Sequence, residues 1–239
     1  MNSFEIDDHI SFPINGRPAP GHLVVPDIAG PMPGIVVIQE VFGLNDDIRD
    51  IARKFASEGY VTLAPDLYHG DESIDLEEAR KLRMAMNMEE AERELDSAVR
   101  YLRSLSKVND SPVGVIGFCM GGGLCLNTAI RSSGAGTAAI DAAAIFYGGG
   151  DLPNDDQVRR IECPIFGAYG ADDHGIPPEK IHQFQLLLDT NKVENELHIY
   201  EGAGHSFFNT ARPSEYNAQA ADEAWSHVTA FFSKALKKS

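Results

Sequence analysis

The stretch GVIGFCMGGG, residues 114–123, carries an apolar run directly into a glycine cluster and places Cys119 at the turn. The pattern Gly117-x-Cys119-x-Gly121 has the form of G-x-S-x-G, a strand–turn–helix motif that exposes a nucleophile, with sulfur in place of the hydroxyl oxygen. A predicted helix at 121–131 follows, as that motif requires. Glycines flank the nucleophile because its backbone is strained and neighbouring side chains would collide there.

The same turn favours ionisation of the thiol. The start of a helix directs amide donors and the positive end of its dipole at the sulfur, which favours thiolate over thiol. The alternative is that Cys119 is only a small buried residue in a glycine-rich turn. Cys125 and Cys163 lack this setting and are interpreted as core residues. Three cysteines without zinc-type spacing predict neither a disulfide framework nor a metal site.

A nucleophile on this motif needs a base and an acid that orients the base, in the chain order nucleophile, acid, base. The segment AYGADDHGIP places Asp172 and Asp173 after a predicted strand. The segment YEGAGHSFF places His205 on a glycine-rich loop after the last predicted strand. The sequence therefore predicts His205 as the base. Spacing favours Asp173 as the acid, with Asp172 as its close competitor.

Apolar, β-branched runs alternate with helical patterns along the chain. Most runs are continuously apolar, as in strands of a parallel sheet that is covered on both faces. The alternation predicts an α/β fold with a mainly parallel sheet, in which ligands bind beyond the carboxyl ends of the strands. The predicted strands are 22–26, 34–40, 60–65, 113–118, 143–149, 164–170 and 196–200, and the predicted helices are 46–58, roughly 73–105, 121–131, 177–189 and 214–236.

The last predicted helix has a clear core face. Its apolar residues recur at steps of four, three and four, so they share one side of the helix. This pattern indicates packing against the sheet and not a cofactor site. The residues are Ala221, Trp225, Val228 and Phe232.

Composition excludes several classes of partner. The 239 residues include 20 basic and 36 acidic ones, for a formal net charge of −16, which would repel nucleic acids and anionic membranes. No apolar run reaches the length of about 18 residues that a membrane span needs. The start, MNSFEIDDHISFPINGRPAP, lacks the layout of a secretory signal and predicts a cytoplasmic protein. Nothing divides the chain, so we expect a single domain, 1–239.

Several separated motifs resemble the dienelactone hydrolase family of α/β-hydrolases, whose members are also called carboxymethylenebutenolidases. The resemblance covers roughly residues 20 to 235 and implies an α/β-hydrolase fold. It makes Cys119 the nucleophile, Asp173 the orienting acid and His205 the base. The motifs are VVIQEVFGLN (36–45), GYVTLAPDLYHG (59–70), GVIGFCMGG (114–122), YGADDHGIP (169–177) and GAGHSFF (202–208).

The resemblance also implies roles for residues that patterns alone do not single out. It places Glu40 beside the resting thiol, where a glutamate takes part in generating the thiolate. It assigns the oxyanion hole to the backbone amides of Val41 and Met120. The implied reaction is attack of the thiolate on a lactone or activated ester, a thioester intermediate and its hydrolysis, with no metal or organic cofactor.

The chain departs from the family in how it would recognise a carboxylate substrate. Two arginines hold that charge in family members that act on dienelactone, and the corresponding positions here are Gly70 and Asn209. His69 and Arg212 are candidate substitutes, each with an ordinary surface interpretation beside it. The full set of candidate substrate contacts is His69, Tyr147, Phe207, Asn209 and Arg212.

Two other functions stay open at the level of sequence. The missing arginines are consistent with a general carboxylesterase that acts on neutral esters. A different class is a thiol sensor or binding protein on the same fold, in which Cys119 is modified without turnover. A sensor would need neither an orienting acid nor an oxyanion hole, so the set of Cys119, Asp173 and His205 favours an enzyme. The segment 71–106 is expected to shape the pocket as a cap or flanking helix.

Overall fold

A computed structural model describes residues 3–14 and 16–237, and its centre is an eight-stranded sheet in the order β1-β2-β4-β3-β5-β6-β7-β8. The ends of the expected domain, residues 1, 2, 238 and 239, and Asn15 lie outside the described residues. The strands are β1 (Phe4–Ile14), β2 (Arg17–Pro26), β3 (Gly34–Ile38), β4 (Val61–Pro65), β5 (Val113–Phe118), β6 (Ala142–Phe146), β7 (Ile165–Gly170) and β8 (Asn195–Tyr200).

Helices connect the strands and cover both faces of the sheet. Strands β3 to β8 pair in parallel, and β2 pairs antiparallel with both β1 and β4. The predicted α/β fold with a mainly parallel sheet is confirmed. The helices are α1 (Asp46–Ser57), α2 (Leu76–Ala85), α3 (Met88–Ser104), α4 (Met120–Arg131), α5 (Asp155–Val158), α6 (Pro178–Thr190) and α7 (Ala218–Leu236).

The central strands are buried along their whole length. Every residue of β3, β4, β5, β6 and β7 is buried, which is why these segments read as continuous apolar runs. The face that α7 covers includes Ala221, Val228 and Phe232, and Trp225 packs on Phe55 with ring centroids 4.6 Å apart. The predicted core face of the last helix is therefore confirmed.

Strand β1 is the largest element that the sequence analysis does not predict, whereas its partner β2 contains the predicted strand 22–26. Most residues of β1 are exposed, and charged and apolar residues are mixed along it, so it has no continuous apolar run to detect. Its register with β2 shifts between Asp7 and Ile10. Its end is anchored in the core by Phe12 and Ile14, which are both buried. A hydrogen bond of 2.7 Å between Asp8 and the buried His22 ties the two strands together.

The segment predicted as one long helical region is two helices with different packing. The break falls at Met86, because the side chain of Asn87 caps α3 by accepting from the Glu90 amide. Helix α3 buries Leu95 among other residues against the sheet, whereas α2 buries only Ala79. Within the described ranges no helix has the length and apolar character needed to cross a membrane.

Candidate active site

The turn between β5 and α4 holds Cys119 in a conformation that requires its glycine neighbours. Cys119 has φ of +52°, in the left-handed region that residues with a Cβ rarely occupy. A Cβ on Gly117 would lie 2.0 Å from the carbonyl oxygen of Gly121. A Cβ on Gly121 would lie 2.5 Å from the carbonyl oxygen of Gln39 on the neighbouring strand connection. The backbone on both sides of Cys119 is thus packed too closely for any other residue.

Three side chains from different strand ends meet at this turn. The Cys119 Sγ lies 3.2 Å from His205 Nε2, and His205 Nδ1 lies 2.7 Å from an Asp173 carboxylate oxygen. Cys119 follows β5, Asp173 follows β7 and His205 follows β8, so the carboxyl edge of the parallel sheet brings them together. The arrangement has the geometry of a nucleophile, a base and an orienting acid.

The charges of Asp173 and His205 stabilise one another. Burial alone would lower the pKa of His205, but hydrogen bonds to Asp173 and Cys119 outweigh it and raise that pKa to about 10. Burial would raise the pKa of Asp173, but the bond to His205 outweighs burial and holds it below its usual value. An ionised carboxylate beside a protonated imidazole is therefore the stable state of this pair.

The structure separates the two candidate acids. The second carboxylate oxygen of Asp173 accepts from the backbone amides of Gly175, at 2.9 Å, and Ile176, at 3.1 Å. Asp173 is 4% exposed and fixed on both oxygens. Asp172 is exposed, and its side chain has no hydrogen-bond partner among the residues that the structure describes. Only Asp173 contacts His205.

Two backbone amides beside Cys119 are free to stabilise an anion. The amides of Val41 and Met120 have no acceptor within the described chain, and both residues line the same cavity as Cys119. Met120 is the first residue of α4, so its N–H lies at the positive end of the helix. These are the two positions that the family resemblance implies for an oxyanion hole.

Glu40 has different neighbours from those that the resemblance implies. It is 2% exposed, and its two carboxylate oxygens accept from the hydroxyl of Tyr147, at 2.8 Å, and from the amide of Asn209. Among the described residues it makes no hydrogen bond to Cys119. Burial raises the pKa of Glu40 to about 7, against the opposing effect of the two hydrogen bonds. The thiol is paired with His205 instead.

A cavity of about 1050 Å³ opens over Cys119. Arg212 lines it, with its guanidinium 5.0 Å from the ring centre of Phe42 and 3.3 Å from the carboxylate of Glu215. His205, Val41 and Met120 also line it. Of the candidate substrate contacts outside the triad and the oxyanion positions, Arg212 is the one that reaches this space.

The other candidate substrate contacts lie elsewhere. Tyr147, Phe207 and Asn209 are at most 1% exposed and do not line the cavity, so the prediction that they touch substrate is not supported. Tyr147 and Asn209 hold Glu40, and Phe207 packs among aromatic rings. His69 lines a separate cleft and bonds to the buried Glu94 at 2.8 Å.

One wall of the cavity comes from residues that the sequence analysis does not select. Leu76, Arg80 and Arg83 reach it from α2. Their spacing of four and three residues places them on one helix face, and this spacing is the feature of the sequence that relates them. A stripe of one apolar and two cationic residues does not indicate a cavity wall, because an ordinary solvated helix has the same pattern. Among residues 3–14 and 16–237 no cluster of His, Cys, Asp or Glu is arranged to hold a metal ion.

The sheet order and the cysteine turn define the class as an α/β hydrolase. The chain is similar to a solved structure, a dienelactone hydrolase-like promiscuous phosphotriesterase from metagenomic libraries. The TM-score is 0.86 at 26% identity, and the match covers 98% of this chain and 99% of that one. The model of the dienelactone hydrolase family matches residues 20–236. The chain belongs to the dienelactone hydrolase family and is an enzyme of the hydrolase class.

Curated relatives extend along nearly the whole chain. A Synechocystis sp. protein named "Putative carboxymethylenebutenolidase" is 32% identical over 244 residues, covering 95% of this chain and 96% of that protein. A Bradyrhizobium protein named "Probable 2-oxo-3-(5-oxofuran-2-ylidene)propanoate lactonase" is 28% identical over 233 residues, covering 92% and 91%. The similarity therefore includes all the strand ends that form the site.

Proposed function

We propose that the protein hydrolyses lactones or activated carboxylic esters with Cys119 as the nucleophile. The observation that carries this proposal is the continuous hydrogen-bonded chain from Asp173 through His205 to Cys119, at 2.7 and 3.2 Å, at the base of an open cavity. The free amides of Val41 and Met120 complete the set of groups that acyl transfer needs. The names of the curated relatives, a carboxymethylenebutenolidase and a lactonase, agree with this class of substrate.

In the first half-reaction the thiol proton resides on His205 and the Cys119 thiolate attacks the carbonyl carbon. The carbonyl oxygen becomes an oxyanion that accepts from the amides of Val41 and Met120, and such donors contribute about 3 kcal/mol each. The C–O bond to the leaving alcohol or enol then breaks, and His205 donates its proton to that oxygen. The acyl group remains on sulfur as a thioester.

In the second half-reaction His205, now neutral, removes a proton from water. The resulting hydroxide adds to the thioester carbonyl, and the carbon–sulfur bond breaks to release the acid. Asp173 keeps the imidazole in the tautomer that both steps require. Because a thiolate leaves more readily than an amine, this nucleophile favours lactones and activated esters over amides.

We assign Glu40 a positioning role. Its hydrogen bond from Tyr147 fixes a ring that packs edge-on against His205, with centroids 5.3 Å apart. Its hydrogen bond from Asn209 holds the loop that follows His205. Glu40 thereby supports the base, His205, from two sides. Asn209 donates its hydrogen bond to the carboxylate of Glu40 and not to that of a substrate.

The test is hydrolysis of p-nitrophenyl acetate and of a dienelactone by the wild type and by Cys119→Ala. Turnover should fall by at least about 10³-fold from wild type to variant, since the variant lacks the proposed nucleophile. Mass spectrometry after mixing with a slowly deacylating ester should show one acyl group on the peptide that contains Cys119. Turnover that survives in Cys119→Ala would contradict the proposal, and labelling of Cys119 without any turnover would favour the thiol sensor.

A further inference from the structure

We propose that a small apolar pocket beside Cys119 binds the acyl chain of the substrate and makes this enzyme selective for short acyl chains, with butyryl esters preferred over acetyl esters. This inference rests on the proposed function and names the acyl specificity of the same site. The pocket is bordered by the loop 147–154, which connects β6 to α5. We call it the acyl pocket.

The first observation is that the acyl pocket continues from the catalytic cavity. Gly123 lies about one helical turn after Cys119, and its amide donates to the Cys119 carbonyl oxygen at 3.3 Å. Gly123 lines both spaces, so the entrance to the pocket lies next to the nucleophile. The residues that line both spaces are Gly123, Leu126, Gly149, Gly150 and Asp151.

The second observation concerns the size and the character of the acyl pocket. Its inner wall is mainly apolar and includes Ile145, Ile176 and Phe184, each at most 4% exposed. The ammonium of Lys180, which also lines the pocket, donates to the carbonyl of Gly150 at 2.5 Å. The volume is about 30 Å³, which is room for about two water molecules. Such a space fits an apolar group of about two carbons.

The third observation is that a glycine of the loop leaves the entrance open. A Cβ on Gly148 would lie 2.6 Å from Ile145 Cγ2 and 2.8 Å from the carbonyl carbon of Gly122, so close packing requires Gly148. A Cβ on Gly149 would have its nearest neighbour, Ile176 Cδ1, at 3.8 Å. Packing therefore does not require glycine at position 149. The missing side chain leaves space beside Ile176 that a substrate can use.

The reaction geometry assigns the acyl pocket to the acyl end of the substrate. In the tetrahedral adduct the oxyanion accepts from the amides of Val41 and Met120, and the leaving oxygen faces His205, which protonates it. These three residues line the catalytic cavity but not the acyl pocket. Gly122 and Gly123, in the first turn of α4, do line the pocket. The acyl chain is the remaining substituent, and it extends past α4 into the pocket.

The test measures kcat/KM for p-nitrophenyl acetate, butyrate and hexanoate. Butyrate has two more methylenes than acetate, and each methylene that is buried gives about a fourfold preference. The wild type should therefore prefer butyrate over acetate by about tenfold or more. Two methylenes fill the pocket, so hexanoate should bring no further gain. Equal values for acetate and butyrate, or a preference for hexanoate over butyrate, would overturn the inference.

Gly149→Val places a branched side chain in the entrance of the acyl pocket. It should lower the ratio of kcat/KM for butyrate to that for acetate by about fivefold or more, because the longer chain loses its site. Leu76→Ala is the matched control, since it changes an apolar residue that lines the same cavity from α2 but not the pocket. An unchanged ratio in Gly149→Val, or an equal fall in Leu76→Ala, would overturn the inference.

A second variant enlarges the acyl pocket and decides the matter if Gly149→Val does not fold. Phe184→Leu shortens a side chain of the inner wall, so the pocket becomes deeper. The ratio of kcat/KM for hexanoate to that for butyrate should rise by about threefold or more, because additional methylenes are buried. The wild-type ratio in this variant would overturn the inference.

Hydrolysis of none of the three esters by the wild type would be a failure of the proposed function. The deciding measurement is then the rate of Cys119 modification by propyl methanethiosulfonate divided by the rate with the methyl reagent. The thiolate attacks the sulfenyl sulfur, a disulfide to the alkyl group forms, and methanesulfinate leaves. Cys125 and Cys163 are buried, so Cys119 is the thiol that reacts. Gly149→Val should lower this ratio by about threefold or more. A ratio equal to that of the wild type would overturn the inference.

Discussion

The turn around Cys119 and the cap helix α2 line the same cavity but are held in opposite ways. At the turn, backbone packs on backbone, and the site of a Cβ on Gly117 is 2.0 Å from the nearest atom. Helix α2 buries only Ala79, and Met84 near its end is 83% exposed. The parts that perform chemistry are built into the sheet, whereas the wall that meets the substrate is attached loosely to it.

Because the turn and α2 are packed so differently, substitutions in them are expected to have different effects. A larger residue at Gly117 or Gly121 must move the main chain of the turn, so chemistry and stability are lost together. A substitution on the cavity face of α2 alters only what the cavity contacts, because few core contacts depend on that helix. The fold therefore lets substrate preference change while the catalytic groups stay in place.

The largest expected effect is at the turn itself. Gly117→Ala should lose more than about 4 kcal/mol in the free energy of unfolding, or fail to fold, because its Cβ would overlap the carbonyl of Gly121. Gly149→Ala is the control, since its Cβ would find its nearest neighbour at 3.8 Å. Urea unfolding of both variants measures the difference. Similar stability of the two would remove the distinction between a rigid turn and its surroundings.

The next effect concerns the orienting acid. Asp173→Asn should lower kcat by about 10³-fold, because an amide can favour the wrong tautomer of His205. Asp172→Asn should stay within a few-fold of the wild type, because that side chain is exposed and lacks a partner within the described residues. Steady-state kinetics on one ester provide the comparison. Equal losses at the two positions would reject Asp173 as the acid.

A third effect is a pH dependence of stability, and it tests Glu40, the buried carboxyl that supports His205. The pKa of Glu40 is raised from 4.5 to about 7, so the folded state holds a proton that the unfolded state releases. The stabilising contribution of Glu40 is complete below about pH 4.5 and is lost as pH rises through about 7. As the pH rises from about 4.5 to about 7, the free energy of unfolding of Glu40→Gln should therefore increase by about 3 kcal/mol relative to that of the wild type. Urea unfolding across this range would show a pH-independent difference if Glu40 titrates normally.

The smallest effect is expected on the cap. Met84→Gln should change the free energy of unfolding by no more than about 0.5 kcal/mol, because that side chain is 83% exposed. Leu95→Ala on the adjacent α3, where the side chain is 1% exposed, should cost about 2 kcal/mol or more. A large loss in Met84→Gln would mean that α2 is packed more firmly in solution than its contacts indicate.

The sequence predicts the elements whose local pattern and final packing agree. The central strands are buried on both faces, so their apolar runs identify them, and the positions of Cys119, Asp173 and His205 follow from strand ends. Strand β1 is not evident from the sequence because most of its residues are exposed, and its position depends on pairing with β2 and on core contacts at its end. Its existence depends on a contact between segments and not on a local pattern.

The cavity wall is hard to predict for a related reason. The contact of Glu40 with Asn209 joins residues 169 positions apart, and nothing local distinguishes it from a contact of Glu40 with the thiol. Arg83 resembles any arginine on a solvated helix until the fold shows that it lines the cavity and has no carboxylate partner among the described residues. Charge balance around a residue is a property of the assembled chain.

The positive φ of Cys119 has a consequence for the evolution of the enzyme. At φ of +52° a side chain with a single heavy atom on Cβ is accommodated, but a β-branched residue such as threonine or valine is a steric outlier. Serine would fit where cysteine stands, and His205 and the two free amides would serve an oxygen nucleophile as well as sulfur. The fold therefore permits a change between thiol and hydroxyl chemistry through one atom, and the route through threonine is closed.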